Sequence, residues 1–303
     1  MKLKLFALFI SIYSCISVFA QESTIDISKN LGLTGVKNAR DFGGYRVGVG
    51  KKIREHQLLR SADLSNATDQ DIAILEDTFK IAEVFDFRTT KEMFAAPDIQ
   101  PNNCLYISLP CLEDEVSSTE EYIGISVENI NSSDLRALSE TLLDSISNRR
   151  VKNLANYLYP LIIRTRVIQE QYEEFLDSIT VLPKDQATLI HCTHGKDRTA
   201  WAVTYLLAAL GADRATLVKE FMKCNDYYKP IIDESVEKAK KKGCNNTQIE
   251  YLKALIGVSE KNVEDALDMI DKRYGSMEQY LTDVLKCDEE QRQKLRDRFL
   301  IDI

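Results

Sequence analysis

Residues 191–200 read HCTHGKDRTA, and they gather most of the reactive side chains of the chain into one short run. The protein has only three histidines, and two of them flank Cys192 here. Arg198 follows the cysteine by six positions, with Gly195, Lys196 and Asp197 between them. The apolar run before it, Ala187–Cys192 (ATLIHC), predicts a strand. The run after it, Thr199–Leu210 (TAWAVTYLLAAL), predicts a buried helix capped by Gly211. Cys192 to Arg198 is then a strand-to-helix turn, the place where α/β sheets bind ligands. Backbone N–H groups of such a turn and of the first helical turn converge on a site that suits a phosphate-sized anion.

Each residue of the run has a chemical reading in that setting. Gly195 supplies the backbone freedom a tight cradle needs. Arg198 can grip two phosphate oxygens with its planar fork. A thiol at a helix N-terminus beside an arginine is held as thiolate, so Cys192 is the expected nucleophile for in-line attack on phosphorus. Asp197 can protonate the leaving group and later take a proton from the hydrolysing water. Thr193, His194, Gly195 and Lys196 line the cradle, Thr199 can hydrogen-bond the sulfur, and the His191 side chain is expected to buttress the loop by hydrogen bonding to backbone. Lys196 reads either as a second phosphate contact or as a rim charge. Asp197 also has a purely structural reading as an ion-pair partner of Arg198. A zinc site built on His191, Cys192 and His194 is crowded onto one loop with no second ligand pair elsewhere, so no metal or cofactor is expected.

The surrounding elements follow an α/β pattern. Strand-like runs recur at Ile53–Arg60, Ile81–Phe87 and Cys104–Leu109. Thr68 caps a helix through Ile72 and Leu75. Apolar residues from Leu161 to Ile179 recur at helical spacing as one long helix ending before Pro183. Asp213, Ser259, Ser276 and Asp288 open further helices toward the C-terminus. The expected fold is α/β: a central, mostly parallel sheet flanked by helices, with a helical C-terminal tail. The polar segment 113–153 is expected to be a helical insertion, and reads either as a solvated insertion or as a lid over the site.

The first residues, MKLKLFALFISIYSCISVFAQE, have a basic start, an apolar stretch too short for a membrane span and a small-x-small end at Val18–Ala20. They predict an export signal (1–20), a single mature domain (21–303) and a periplasmic or secreted location. Cleavage removes two lysines and takes the formal charge from −8 to −10. A chain this acidic carries no footprint for nucleic acid or for an anionic membrane, and no later run is apolar enough to insert stably. Six cysteines then remain; Cys104/Cys111 and Cys224/Cys244 are conceivable disulfides, although buried thiols fit a domain of this size better.

Beyond the loop, further segments complete a resemblance. NARDFGGY (Asn38–Tyr45), LLRSADLSNATDQDIAIL (Leu58–Leu75), VFDFRTTKEMFAAPD (Val84–Asp98) and the tail LIGVSEKNVEDALDMIDKRYGSMEQYLTDVL resemble blocks of the bacterial protein-tyrosine/serine phosphatases, including exported ones. The resemblance covers most of the chain except 113–153, and it implies a cysteine-phosphatase-like fold. It implies Cys192 as nucleophile, Arg198 as clamp, Asp197 as an acid carried within the loop, and Lys196 as the lysine linked to phosphoserine and phosphoinositide tolerance. Asp86 would lie beside the loop and either position Lys196 or Arg198 or form a plain salt bridge, with Arg40, Asp41, Arg60 and Arg88 in support or as buried ion pairs. His194 stands where the family carries a small residue, and Ala200 where it carries glycine. The resulting expectation is a metal-independent protein-tyrosine phosphatase acting on phosphorylated proteins or small phosphomonoesters. An inositol phosphate or phosphoinositide phosphatase, or a phosphate-binding module without turnover, are the alternatives.

Overall fold

The computed structural model describes residues 29–113, 134–147, 155–179 and 186–303. The expected signal sequence and the bulk of the 113–153 segment lie outside the described residues. Five strands form the central sheet in the order β1 (Arg40–Asp41), β4 (Leu58–Ser61), β7 (Ala187–His191), β5 (Ile81–Asp86), β6 (Leu105–Ser108). Strand β1 runs antiparallel to β4 and every other pairing is parallel. In the centre of the sheet, β7 is buried at all five positions, so its residues are apolar on both faces except where chemistry intervenes. Its last residue, His191, is in register with Ser61 on one side and Asp86 on the other, and Cys192 emerges at the carboxyl edge between them.

A second, antiparallel sheet joins β2 (Arg46–Val47), β3 (Lys51–Ile53) and β8 (Leu300–Asp302). The run read as one strand, Ile53–Arg60, is therefore two strands in two sheets. The chain breaks at His56, whose φ of +62° leaves the extended region and whose N–H donates to Asp41 Oδ2 at 2.8 Å. Strand β8 closes a tail that otherwise reads as helical.

The described α-helices are α1 (Asp69–Ala73), α2 (Thr90–Ala95), α3 (Leu135–Ser147), α4 (Ala155–Arg164), α5 (Arg166–Ser178), α6 (Asp197–Ala209), α7 (Arg214–Met222), α8 (Cys224–Lys241), α9 (Asn246–Ile256), α10 (Glu260–Tyr274), α11 (Met277–Gln279) and α12 (Glu289–Phe299), with π-helical turns at Ile74–Thr78 and Tyr280–Val284 continuing α1 and α11. Thr68 caps α1 as expected, reciprocally with Asp71. The single helix expected over 161–179 is instead α4 and α5, because Thr165 is extended (φ −84°, ψ +121°). The break is stable because Gln169 Nε2 and Tyr280 Oη donate to the Ile163 carbonyl, at 2.7 and 2.9 Å.

One apolar core lies on the face of the sheet that carries α6, with Trp201, Tyr205, Leu206, Phe85, Phe175 and Tyr172 at its centre. The opposite face packs Leu59, Leu64, Leu75, Val84 and Leu189. A third cluster binds α3 to α8 and α9 through Leu135, Leu138, Leu142 and Leu143 against Leu252 and Ile256. The described part of the polar insertion is thus a packed amphipathic helix, whose short apolar stripe is diluted by serine and charge in the sequence. All six described cysteines are free thiols. Among the described residues no helix is long and apolar enough to cross a membrane.

Candidate active site

The loop from Cys192 to Lys196 is shaped from outside. The carbonyls of Thr193, His194 and Gly195 have partners behind the loop. Asp63 N–H donates to Thr193 O at 3.2 Å, and Tyr228 Oη and Asn38 Nδ2 donate to His194 O at 2.6 and 3.1 Å. Gly195 O accepts from Asn38 Nδ2 at 2.8 Å and from Arg60 Nη2 at 2.7 Å. A planar trans peptide points its N–H opposite to its C=O, so fixing these carbonyls outward turns the N–H groups toward the inner side, where buried Cys192 sits. The N-terminus of α6 adds to them. Its cap residue, Lys196, makes no side-chain capping bond, so first-turn N–H groups are left for a ligand. Gly195 has φ +57°, and a Cβ there would meet the Ser61 carbonyl oxygen at 2.0 Å. The glycine is required both by conformation and by the close approach of β4.

Asn38 and Arg60 are themselves fixed. Arg40 donates to Asn38 Oδ1, which orients that amide so its nitrogen faces the loop. Glu220 of α7, 1 % exposed, pairs with Arg40 at 2.9 Å and with Arg60 at 3.3 Å, and Tyr45 Oη donates to its other oxygen at 2.7 Å. Burial alone would raise the Glu220 carboxyl; the two guanidinium groups hold it below its ordinary value. Arg40 and Arg60 are thus loop supports that act through a buried carboxylate.

Arg198 is buried and gripped by Glu92 of α2, with Nη1–Oε2 at 2.6 Å and Nη2–Oε1 at 2.7 Å. Nη1 also donates to Phe87 O at 3.2 Å and Nη2 to Thr193 Oγ1 at 3.2 Å. Thr193 in turn donates to Glu92 Oε1, so its hydroxyl serves the guanidinium rather than the cradle. Glu92 occupies the third position of α2, where its second task is to accept the Thr89 N–H of the capping box. Burial would push this carboxyl up, but the Arg198 charge and hydrogen bonds, with Thr193 and the Thr89 N–H, hold it down at about 2. In the unfolded chain a glutamate titrates at about 4.3, so this pair stabilises the fold above that pH, and the contribution is lost as pH falls toward 2. Glu92→Gln is expected to cost about 3 kcal/mol at neutral pH and to lower kcat/KM by roughly 10-fold through a misaligned Arg198. Urea unfolding at a series of pH values checks it: the variant should show a shallower loss of stability on acidification than the wild type.

Asp197 opens α6 with its side chain 23 % exposed. It does not pair with Arg198. Tyr159 Oη donates to its Oδ1 at 2.8 Å, and Lys196 Nζ lies 3.4 Å from its Oδ2. Lys196 is buried, and its ammonium donates to the Leu255 carbonyl of α9 at 2.6 Å. Thr199 Oγ1 is buried without a hydrogen bond, so the expected bond to the sulfur is not formed in this state.

Two supporting residues sit differently from expectation. Asp86 touches neither Lys196 nor Arg198: it pairs with Arg88 at 2.8 Å and accepts from Tyr106. Burial opposes ionisation of Asp86, yet the neighbouring His191, the Arg88 guanidinium and the Tyr106 hydroxyl hold its carboxyl at about 2. The His191 ring makes no hydrogen bond; its Nε2 lies 3.3 Å from Asp98 and its Nδ1 3.7 Å from Asp86. The loop is held instead through the His191 carbonyl, which accepts from Phe87 N–H at 3.0 Å. Asp86, Asp98 and His191 are the one group of three among the described residues with metal-ligand spacing. Arg88 already supplies the cation there, 2.7 Å from Asp98, and Tyr106 Oη lies within hydrogen-bonding distance of both carboxylates with one hydrogen to share between them. The cluster is therefore an ion-pair network, and the Cys192 loop lends it no ligand.

His194 lines a cavity of about 290 Å³ together with Thr193, Tyr228, Lys37, Asp63 and the start of α3 at Asp134–Leu135. The arrangement as a whole suits a tetrahedral dianion: inward N–H groups, one buried guanidinium, a buried thiol and one partly exposed carboxyl.

Comparison with known proteins agrees with this chemistry. The profile of the tyrosine phosphatase family matches residues 31–301. A putative tyrosine-protein phosphatase of Cupriavidus necator is 24 % identical over 271 residues, covering 89 % of this chain and 88 % of that protein. The triple specificity protein phosphatase PtpB of Mycobacterium tuberculosis is 24 % identical over 272 residues, covering 83 % of this chain and 92 % of that protein. A tyrosine-protein phosphatase of Nostoc commune is 25 % identical over 181 residues, 60 % of this chain and 52 % of its own.

Proposed function

The chain belongs to the tyrosine phosphatase family, which makes it a phosphoric monoester hydrolase, and on that premise we propose that it acts through a phosphocysteine on Cys192, with phosphotyrosine in proteins as its main substrate. The observation that carries this reading is the loop whose Thr193, His194 and Gly195 carbonyls are tied outward, above a buried cysteine and an uncapped helix N-terminus. The Cys192 thiolate attacks phosphorus in line; the S–P bond forms as the P–O bond to the leaving group breaks, and Asp197 gives that oxygen its proton. Water then attacks the phosphocysteine, Asp197 takes a proton back, and the S–P bond breaks to release phosphate and the thiolate. Loop N–H groups and Arg198 bear the charge of the equatorial oxygens throughout. None of these steps requires a metal.

The phosphoinositide alternative rests on Lys196 and His194 as extra contacts for a polyanion. Burial of Lys196 and its bonds to Leu255 and Asp197 argue against the first of these, which is why phosphotyrosine is favoured here. Helix α3 beside His194 supports reading 113–153 as a lid, and the basic-apolar start of the chain supports an exported enzyme.

A substrate panel tests the specificity. The kcat/KM for phosphotyrosine peptides is expected to exceed that for the matching phosphoserine peptides and for inositol phosphates by about 10-fold or more, since an unmatched polar substrate leaves buried site groups unpaired. A preference for inositol phosphates would reverse the ranking.

A further inference from the structure

Asp197 must deliver a proton along one direction, yet a carboxyl group has two oxygens and two faces. In this structure the oxygens are made inequivalent by residues outside the loop. Oδ1 accepts the Tyr159 hydroxyl at 2.8 Å, while Oδ2 faces Lys196 Nζ at 3.4 Å. Tyr159 lies on α4, is 1 % exposed, and its ring packs edge-on and tilted against Trp201 and Phe221 in a triangle of aromatic rings whose centroids are 5.7 Å apart. That packing fixes where its hydroxyl points. Lys196 is fixed too, by its bond to the Leu255 carbonyl.

We propose that Tyr159 is the positioning residue of the proton-transfer step: by donating to Oδ1 it reserves Oδ2 for the proton that passes to the leaving group and later returns from water. An oxygen that already accepts a hydrogen bond is the carbonyl-like one of a protonated carboxyl, so the acidic hydrogen resides on its neighbour. When the proton leaves, the new carboxylate keeps the Tyr159 bond and gains the attraction of the Lys196 ammonium, which offsets the charge formed in the transition state. Burial first, and the Asp197 charge second, push the Tyr159 phenol far above its ordinary range, so it remains a donor wherever the protein is folded. This assignment gives Lys196 a role toward the acid rather than toward a second phosphate. It rests on the reading of Asp197 as the acid.

The test compares wild type, Tyr159→Phe, Asp197→Asn and the double variant on two aryl phosphates, one with a poor leaving group (phenyl phosphate) and one with a good one (2,4-dinitrophenyl phosphate). Phenylalanine keeps the ring packing and deletes only the donor oxygen. Expected is a loss in kcat/KM of about 10- to 100-fold on phenyl phosphate and less than about 3-fold on the dinitrophenyl ester, since only the poor leaving group needs the proton. The double variant should be no slower than Asp197→Asn alone, because both changes remove one function. The ratio between the two substrates is independent of how much variant is folded. Equal losses on both esters, or losses that multiply in the double variant, would overturn the role of Tyr159 while leaving Asp197 as the acid. If Asp197→Asn itself shows no dependence on the leaving group, the acid assignment fails first and the inference falls with it.

Discussion

Cys192→Ser is expected to lower turnover of p-nitrophenyl phosphate by roughly 10⁴-fold or more in the presence of a reductant and EDTA, with wild-type activity unaffected by the chelator. The serine keeps the size and the hydrogen bonding of the thiol but is not ionised at a helix N-terminus, so the nucleophile is lost while the cradle remains. Phosphate and vanadate should therefore still bind the variant, since the carbonyl tethers from Asn38, Arg60 and Tyr228 do not involve the sulfur. Retained activity in the variant, or loss of wild-type activity with EDTA, would each contradict a cysteine mechanism.

Arg198→Lys carries the second large effect, a fall in kcat/KM of about 10²- to 10³-fold. Lysine preserves the charge but not the planar fork. In this site the fork spans both Glu92 oxygens, the Phe87 carbonyl and Thr193, and that grip holds the group against the loop. A lysine ammonium can satisfy part of this set only by leaving its place beside the anion. The loss should be visible as weaker vanadate inhibition and lower kcat together, with the unfolding midpoint measured alongside to separate folding from function. A variant within about 10-fold of wild type would show that charge alone is enough and that Glu92 has no positioning role.

How far the site was legible in the sequence depends on how local each interaction is. Cys192, Gly195, Asp197 and Arg198 lie on one loop between a periodic strand and an apolar helix, so seven consecutive residues reveal their relation. Strands β5, β6 and β7 were readable for the same reason, because each is a short run rich in apolar residues, whereas β4 was merged with β3 into one run. What holds the loop in shape was not readable. Glu220 and Tyr159 stand on helices with no motif around them, 160 residues from Arg60 and 38 from Asp197 respectively. Glu92 and Asn38 do lie in the quoted blocks, but a carboxylate three residues into a helix reads as a capping box, and half of its task is indeed that. His191 was assigned to the loop because it adjoins Cys192, and Asp86 because the resemblance places it there. The competing partner, Arg88, is two residues from Asp86 and takes it instead. The split at His56 and the break at Thr165 escaped because neither position carries glycine or proline; each depends on hydrogen bonds from distant residues.

The central claim is that phosphate passes through the sulfur of Cys192. The most direct test is to quench Asp197→Asn during turnover of an aryl phosphate, a variant in which breakdown of the intermediate is slowed, and to map the phosphorylated residue by peptide mass spectrometry with phosphorus NMR of the linkage. The account predicts stoichiometric phosphate on Cys192 as a thiophosphate ester, absent when Cys192→Ser is added. Phosphate found on His194 or His191, or aryl phosphate hydrolysis with no covalent intermediate at any quench time, would contradict it.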